Sequence, residues 1–310
     1  MKFSIFIPAY KVSFLKEAIQ SVVCQSYPDW ELIILNDSSP YDIESVVRDF
    51  DDKRISYLVN PKNVGAVDVV NNWNKCLEMS SGEYVICIGD DDMLHKDCLK
   101  VYYDYIIKYP NVNAFHSRSI IVNEKGENLY LTDARPEMES VFALMSHRMK
   151  EEQFIGDFCF KASVLKSVGG YYYLPLAWGS DDMTAFLCSK SNGIVNVSTP
   201  IFYYRKSSVN ITSTGSSELK IKSLNILHDC YVELLKEKSF DDIELLEIKS
   251  VERKMPGYFF ARRAEDISMD IQNSFYNAFK WFCKRKKYKI SKSCILYAVM
   301  MALGKKLINQ

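Results

Sequence analysis

The sequence predicts an α/β fold, a mostly parallel sheet flanked by helices, with a C-terminal helical extension. Three observations lead there. Over the first 110 residues, short apolar runs alternate with stretches of helical apolar spacing. The short runs are apolar on both faces, which suits parallel strands covered by helices on either side. From about Ser217 onward only the helical spacing remains, as in Leu224, Leu227, Tyr231, Leu234 and Leu235.

Taken in order, residues 3–8 form a β run, and residues 14–25 carry Leu15, Ala18, Ile19, Val22 and Val23 on one helical face. Residues 31–35 are a second strand. Ser38, Ser39 and Pro40 then open a helix over 41–50. A strand over 55–59, a helix over 66–79, a strand over 84–88 and a helix over 97–109 complete the β-α rhythm. Beyond Asn111 the rhythm breaks. Residues 114–122 read as a strand and 123–128 as a hairpin-type turn. Helical stretches follow at 140–149, 162–168 and 182–190, then strands at 194–197 and 201–204. The Ser/Thr/Asn-rich stretch from 207 to 217 marks a boundary. We expect one domain over 1–212, with halves 1–110 and 111–212, and a helical region over 213–310.

The 39 basic and 39 acidic residues cancel, so no global field draws the 310-residue chain to nucleic acid. The charge is uneven, however. No acidic residue follows Asp270, while Lys280, Lys284, Arg285, Lys286, Lys287, Lys289, Lys292, Lys305 and Lys306 do. That tail also carries Phe275, Tyr276, Phe279, Trp281, Phe282, Tyr288 and Tyr297. It has two readings: solvated helices packed on their neighbours, or a peripheral contact of 275–310 with an anionic membrane surface. The apolar run 294–303 is about half of what spans a bilayer. Residues 1–8 lack a signal-peptide pattern. Nine scattered cysteines without a CxxC pair suggest neither a disulfide framework nor a zinc site. The expectation is a cytoplasmic protein, peripheral to the inner membrane face under the second reading of the tail.

Ligands of an open parallel sheet bind beyond the carboxyl ends of its strands. The four segments after the first four strands are Pro8-Ala9-Tyr10, Asn36-Asp37-Ser38-Ser39, residues 60–65, and Gly89-Asp90-Asp91-Asp92. They offer an aromatic ring, a lone carboxylate, an amide beside a glycine, and a carboxylate triplet. Such a set suits a base, a ribose and a metal-bound diphosphate. Three adjacent carboxylates after a buried strand repel one another unless a cation offsets them. Hard divalent ions favour such oxygen ligands. A solvated acidic turn that caps the following helix is the plainer alternative.

These motifs resemble glycosyltransferase family 2, which has the GT-A fold. Its opening motif stands here as Ile5-Phe6-Ile7-Pro8-Ala9-Tyr10, its second as Leu35-Asn36-Asp37-Ser38-Ser39, and its third as Asn63-Val64-Gly65. The DXD-type motif is Gly89-Asp90-Asp91-Asp92, and Trp178-Gly179-Ser180-Asp181-Asp182 stands in place of the Glu-Asp catalytic motif. The resemblance implies an inverting, sugar-nucleotide-dependent transferase that uses Mn²⁺ or Mg²⁺. The donor it implies is a UDP-sugar and the acceptor a glycan or lipid-linked glycan, in surface polysaccharide synthesis. It places Pro8, Ala9, Tyr10 and Asn63 around the base, with Asp37 hydrogen-bonded to it. Asp91 would meet the ribose, Asp92 the metal and Arg205 the phosphates, with Asp90 alongside. Asp182 would be the general base, with Asp181 as its rival. A helix-capping role for both acids stays open.

This chain departs from the family pattern at three points. Lys11 replaces a frequent asparagine, Val69-Val70 replace Ala-Arg, and Ser180-Asp181-Asp182 replaces the simple Glu-Asp pair. Competing classes lack their motifs. No glycine-rich phosphate loop with a lysine follows Ile7, as a nucleotidyltransferase requires, and no GxGxxG follows the first strand. A non-catalytic sugar-nucleotide or glycan-binding protein remains compatible with every motif.

Overall fold

The computed structural model describes residues 1–207, 215–236 and 241–308, the last four by backbone alone. The expected boundary at 212/213 lies outside the described residues. Contacts divide the chain into two compact units, one of residues 1–173 and 180–210, the other of 174–179 and 211–310.

The first unit opens with β1 (Phe3–Ala9), α1 (Leu15–Val23), β2 (Trp30–Asn36), α2 (Ile43–Arg48), β3 (Ile55–Val59), α3 (Val69–Met79) and β4 (Tyr84–Cys87). It continues with β5 (Met93–Leu94), α4 (Cys98–Lys108), β6 (Ala114–Val122), β7 (Asn128–Leu131), β8 (Met138–Glu139) and α5 (Val141–Arg148). β9 (Phe158–Lys161), α6 (Ala162–Ser167), α7 (Ser180–Ser189) and β10 (Ile194–Arg205) complete it. Among the described residues these ten strands make one sheet, β3-β2-β1-β4-β9-β6-β10-β5, with β7 on β6 and β8 on β10.

Strands β3, β2, β1 and β4 are parallel, as the two-sided apolar pattern requires. On one face Phe3, Ile5, Ile7 and Ala9 of β1 meet Leu15, Ala18, Ile19 and Val22 of α1. On the other, α3 packs on β1 and β2 and buries Val70, Trp73, Cys76 and Leu77. Each large apolar side chain so buried contributes roughly 1.5–3 kcal/mol. Register then sets where the loops emerge. Ala9 pairs with Asn36, and Asn36 with Val59, so three strands end level.

The mostly parallel sheet also carries antiparallel pairs, since β9 inserts antiparallel between β4 and β6. This strand is unforeseen: its apolar stretch, Phe158-Cys159-Phe160, is too short to show a period in the sequence. Two local expectations need correction. The two expected strands at 194–197 and 201–204 are one strand, whose pairing with β6 shifts register around Pro200. Proline lacks the N–H that a ladder needs, and the shift accommodates it. Residues 66–68 form a 3₁₀ turn ahead of α3 rather than its first turn.

The second unit is helical: α8 (Ser217–Leu235), α9 (Asp242–Asn273), α10 (Tyr276–Lys284) and α11 (Lys292–Ile308). Its core includes Leu224, Leu227 and Tyr231 of α8, with Phe259, Ile267 and Ile271 of α9. Trp178 belongs to this unit. Lys220 and Arg262 stand 4.5 and 4.9 Å from its ring centroid. The tail helices leave Tyr276, Phe279, Phe282, Leu296, Tyr297, Met300 and Leu303 exposed. Among the described residues no helix is long and apolar enough to cross a membrane. None of the nine cysteines, all of them described, is in a disulfide.

Candidate active site

The ends of β1, β2 and β3 converge on one cleft, lined by Pro8, Ala9, Tyr10, Asp37, Asn63, Gly65, Ala66, Val69 and Asn72. All five residues expected around the base therefore share one wall system. Ser39 Oγ donates to the Tyr10 carbonyl at 2.6 Å, which ties the first two loops together. Tyr10 is 43% exposed, and the ring of Tyr41 meets it edge-on with centroids 6.4 Å apart. Tyr41 and Asn72 escaped the sequence reading. Neither belongs to a motif: Tyr41 comes from the loop before α2 and Asn72 from the first turn of α3.

Asp37 is tied to the neighbouring loop. Its Oδ1 accepts from Asn60 Nδ2 at 2.8 Å and from the Val64 N–H at 3.0 Å. Its Oδ2 accepts from Asn63 Nδ2 at 3.0 Å and from the Gly65 N–H at 3.1 Å. A carboxylate has about four acceptor positions. All are used by the 60–65 loop, so Asp37 shapes the pocket. Gly65 suits this loop because its φ is +72°, a left-handed conformation that side chains disfavour. Asn63 turns its amide nitrogen to Asp37, donating to both its carbonyl and its carboxylate.

The carboxylate triplet lies directly beside the first loop. Asp90 Oδ2 accepts from the N–H groups of Tyr10 and Lys11 at 2.8 and 2.7 Å. Lys11 Nζ stands 2.6 Å from Asp91 Oδ2 and 3.3 Å from Asp90 Oδ1. Burial pushes the Asp90 carboxyl up, with Lys11 opposing and Asp91 reinforcing the shift. Burial also raises Asp92 well above the carboxylate range, and Asp91 adds to it. Burial works against the charge on Lys11, but Asp90 and Asp91 outweigh it and hold the ammonium above its ordinary value.

Arg205, expected to reach the phosphates, is buried at 1% exposure. Its backbone N–H donates to Asp92 Oδ1 at 3.0 Å and its Nε to the Asp91 carbonyl at 2.9 Å. The rest of the guanidinium binds the Glu124 carbonyl and Glu17 Oε2 and stacks on Phe14. The end of β10 thus pins the acidic loop from behind.

Asp182, the preferred general base in the sequence, sits deeper than its neighbour. It is fully buried, and Arg148 Nε donates to its Oδ1. Along α7 only Asp181 and Leu187 are partly exposed. Asp181 is therefore the partly exposed acid of the first turn, where the helix dipole favours a negative charge.

A divalent ion fits the donor set beside Gly89. A Cβ built on that glycine would lie 2.8 Å from Asp92 Oδ2 and 2.9 Å from Asp91 Oδ1. Two hard oxygens thus converge on a gap that any side chain at position 89 would fill. Among the described residues no three acidic, His or Cys side chains form a complete cage. Ions that work with nucleotides are commonly held by one or two carboxylates plus the phosphates themselves. Asp91 and Asp92 would hold it.

The family model for glycosyl transferase family 2 matches residues 4–166, more than half of the chain. Over 171 residues the chain is 29% identical to the Campylobacter jejuni GalNAc(5)-diNAcBac-PP-undecaprenol beta-1,3-glucosyltransferase, covering 54% of this chain and 53% of that protein. The chain spans about half the length, or less, of the curated relatives it matches. The solved structure of S. aureus TarS 1-349 in complex with UDP-GlcNAc superimposes with a TM-score of 0.64 at 17% identity. That match covers 90% of this chain and 75% of the other. The mannosyltransferase PcManGT from Pyrobaculum calidifontis, in complex with GDP-Man and Mn²⁺, gives 0.55 at 15% identity, over 98% and 87% of the two chains. At such identities the likeness is one of fold, and it is the GT-A fold.

Proposed function

The chain belongs to glycosyl transferase family 2, and from that premise we propose that it moves a sugar from a UDP-sugar to a glycan or lipid-linked glycan. Inversion at the anomeric carbon accompanies the transfer. The observation that carries this reading is the meeting at one sheet edge of the Tyr10–Asp37–Asn63 cleft and the carboxylates flanking Gly89.

In this reading Tyr10 stacks on the base while Asn63 Oδ1 accepts from a base N–H. Asp91 and Asp92 hold Mn²⁺ or Mg²⁺, which when bound supplies Lewis-acid stabilisation of the departing diphosphate. Asp90 keeps the first loop in place through its two N–H contacts. Asp181 takes the proton of the acceptor hydroxyl as that oxygen bonds to the anomeric carbon and the bond to the diphosphate breaks. One displacement from the face opposite the leaving group inverts the centre.

The same reading puts the protein at the cytoplasmic face of a membrane, in surface polysaccharide synthesis. The exposed aromatics of α10 and exposed apolar side chains of α11 enter the interface, and the lysines meet anionic headgroups. Flotation with phosphatidylglycerol vesicles should carry the intact protein upward, and Tyr276→Ser with Phe279→Ser should abolish it. Equal flotation of both proteins removes the membrane contact without touching the transfer reaction.

Calorimetry with UDP, with and without Mn²⁺, followed by a UDP-release assay over a panel of UDP-sugars, tests the activity. We expect ion-strengthened UDP binding and slow donor hydrolysis. Binding without release from any donor or acceptor would favour a non-catalytic binding protein.

A further inference from the structure

We propose that Lys11 is a tethered cation of the donor site, holding Asp90 and Asp91 until a donor binds and then turning to its diphosphate. The inference rests on the nucleotide-sugar reading above.

Three observations on Lys11 and its surroundings carry it. The Lys11 ammonium bridges Asp91 Oδ2 and Asp90 Oδ1 at 2.6 and 3.3 Å, so it faces two members of a buried like-charged triplet. Arg205, the other cation packed on this loop, aims its guanidinium at the Asp91 and Glu124 carbonyls and at Glu17. The ammonium of Lys11 is the charge that pairs with the Asp91 carboxylate. Finally, its side chain remains a quarter exposed while its backbone N–H is fixed to Asp90 at 2.7 Å. The four-carbon stem thus starts from a fixed point next to Tyr10, on the cleft wall, and its tip has a way out.

The electrostatic consequence has opposite signs for the two ligands. Lys11 repels a divalent ion approaching Asp91 and Asp92, so it weakens ion binding to the nucleotide-free protein. A diphosphate carries more negative charge than the ion leaves uncompensated, so the same ammonium strengthens diphosphate binding, most visibly without the ion. A merely structural lysine would not produce two opposite changes.

Lys11→Met keeps the length and removes the charge, and Lys11→Arg keeps the charge. Titrations would use MnCl₂ alone, and UDP and uridine in EDTA. For Lys11→Met we expect Mn²⁺ to bind about tenfold tighter and UDP about tenfold weaker, with uridine unchanged. Lys11→Arg should stay near wild type for UDP. Should Lys11→Met fail to fold, the wild-type protein alone suffices: in EDTA, salt should weaken UDP binding and spare uridine. Affinities that move in the same direction, that do not move, or a UDP affinity indifferent to salt, overturn the proposal. Intact ion-strengthened UDP binding in that case leaves the transferase reading standing, whereas no UDP binding under any condition overturns both.

Discussion

Asp181→Asn is expected to slow UDP release from the donor by about 10²–10⁴-fold while leaving UDP–Mn²⁺ affinity within about twofold of wild type. The substitution keeps the shape of the side chain and removes its ability to take a proton. Asp181 is the partly exposed acid of the first turn of α7, and it does not line the nucleotide cleft. Asp182→Asn should behave differently. It breaks a buried ion pair and leaves the Arg148 guanidinium without its carboxylate. Losing one partner of such a pair costs roughly 3–5 kcal/mol, so a lowered melting temperature precedes any kinetic effect. Parallel measurement of melting, UDP affinity and initial rate separates the two acids. A slow, fully stable Asp182→Asn beside an active Asp181→Asn would return the base assignment to Asp182.

The comparison of these two acids shows what a sequence reveals and what it hides. Periodicity made the parallel strands legible, since Leu32, Ile34 and Ile86 must be buried wherever the chain goes. Strand ends then located Pro8, Asp37, Asn63 and the carboxylate triplet correctly at one edge, because a parallel sheet leaves its loops there. Contacts that depend on pairing over long separations were invisible. Asp182 looks like a catalytic acid in the sequence, yet Arg148, 34 residues earlier, claims it. Arg205 looks like a phosphate ligand at a strand end, yet it reaches back 188 residues to Glu17. Lys11 was legible only as a departure from a family pattern. Its partners lie 79 and 80 residues away, and only the β1–β4 pairing brings them together. Local chemistry named the loop residues, while the long-range hydrogen bonds that hold them were set by packing.

Gly89→Ala should abolish most of the ion-dependent gain in UDP affinity, about 10–100-fold, although it removes no charge and no hydrogen-bonding group. The new methyl carbon would fall 2.8 Å from Asp92 Oδ2 and 2.9 Å from Asp91 Oδ1, closer than side-chain atoms tolerate. One or both carboxylates must swing away. Asp92 has little room, since the Arg205 N–H holds its other oxygen at 3.0 Å. The swing therefore falls mostly on Asp91, whose Oδ2 is already drawn toward Lys11. The two oxygens then no longer share one ion. Asp92→Asn is the complementary probe: it keeps the volume, removes the charge, and should lower the rate by about 10²–10³-fold. Both variants should bind uridine normally, because the Tyr10–Asn63 wall does not include position 89. If Gly89→Ala retains the full Mn²⁺ enhancement, the ion is held elsewhere, and the carboxylates beside Gly89 serve only to tie the loops of β1, β4 and β10 together.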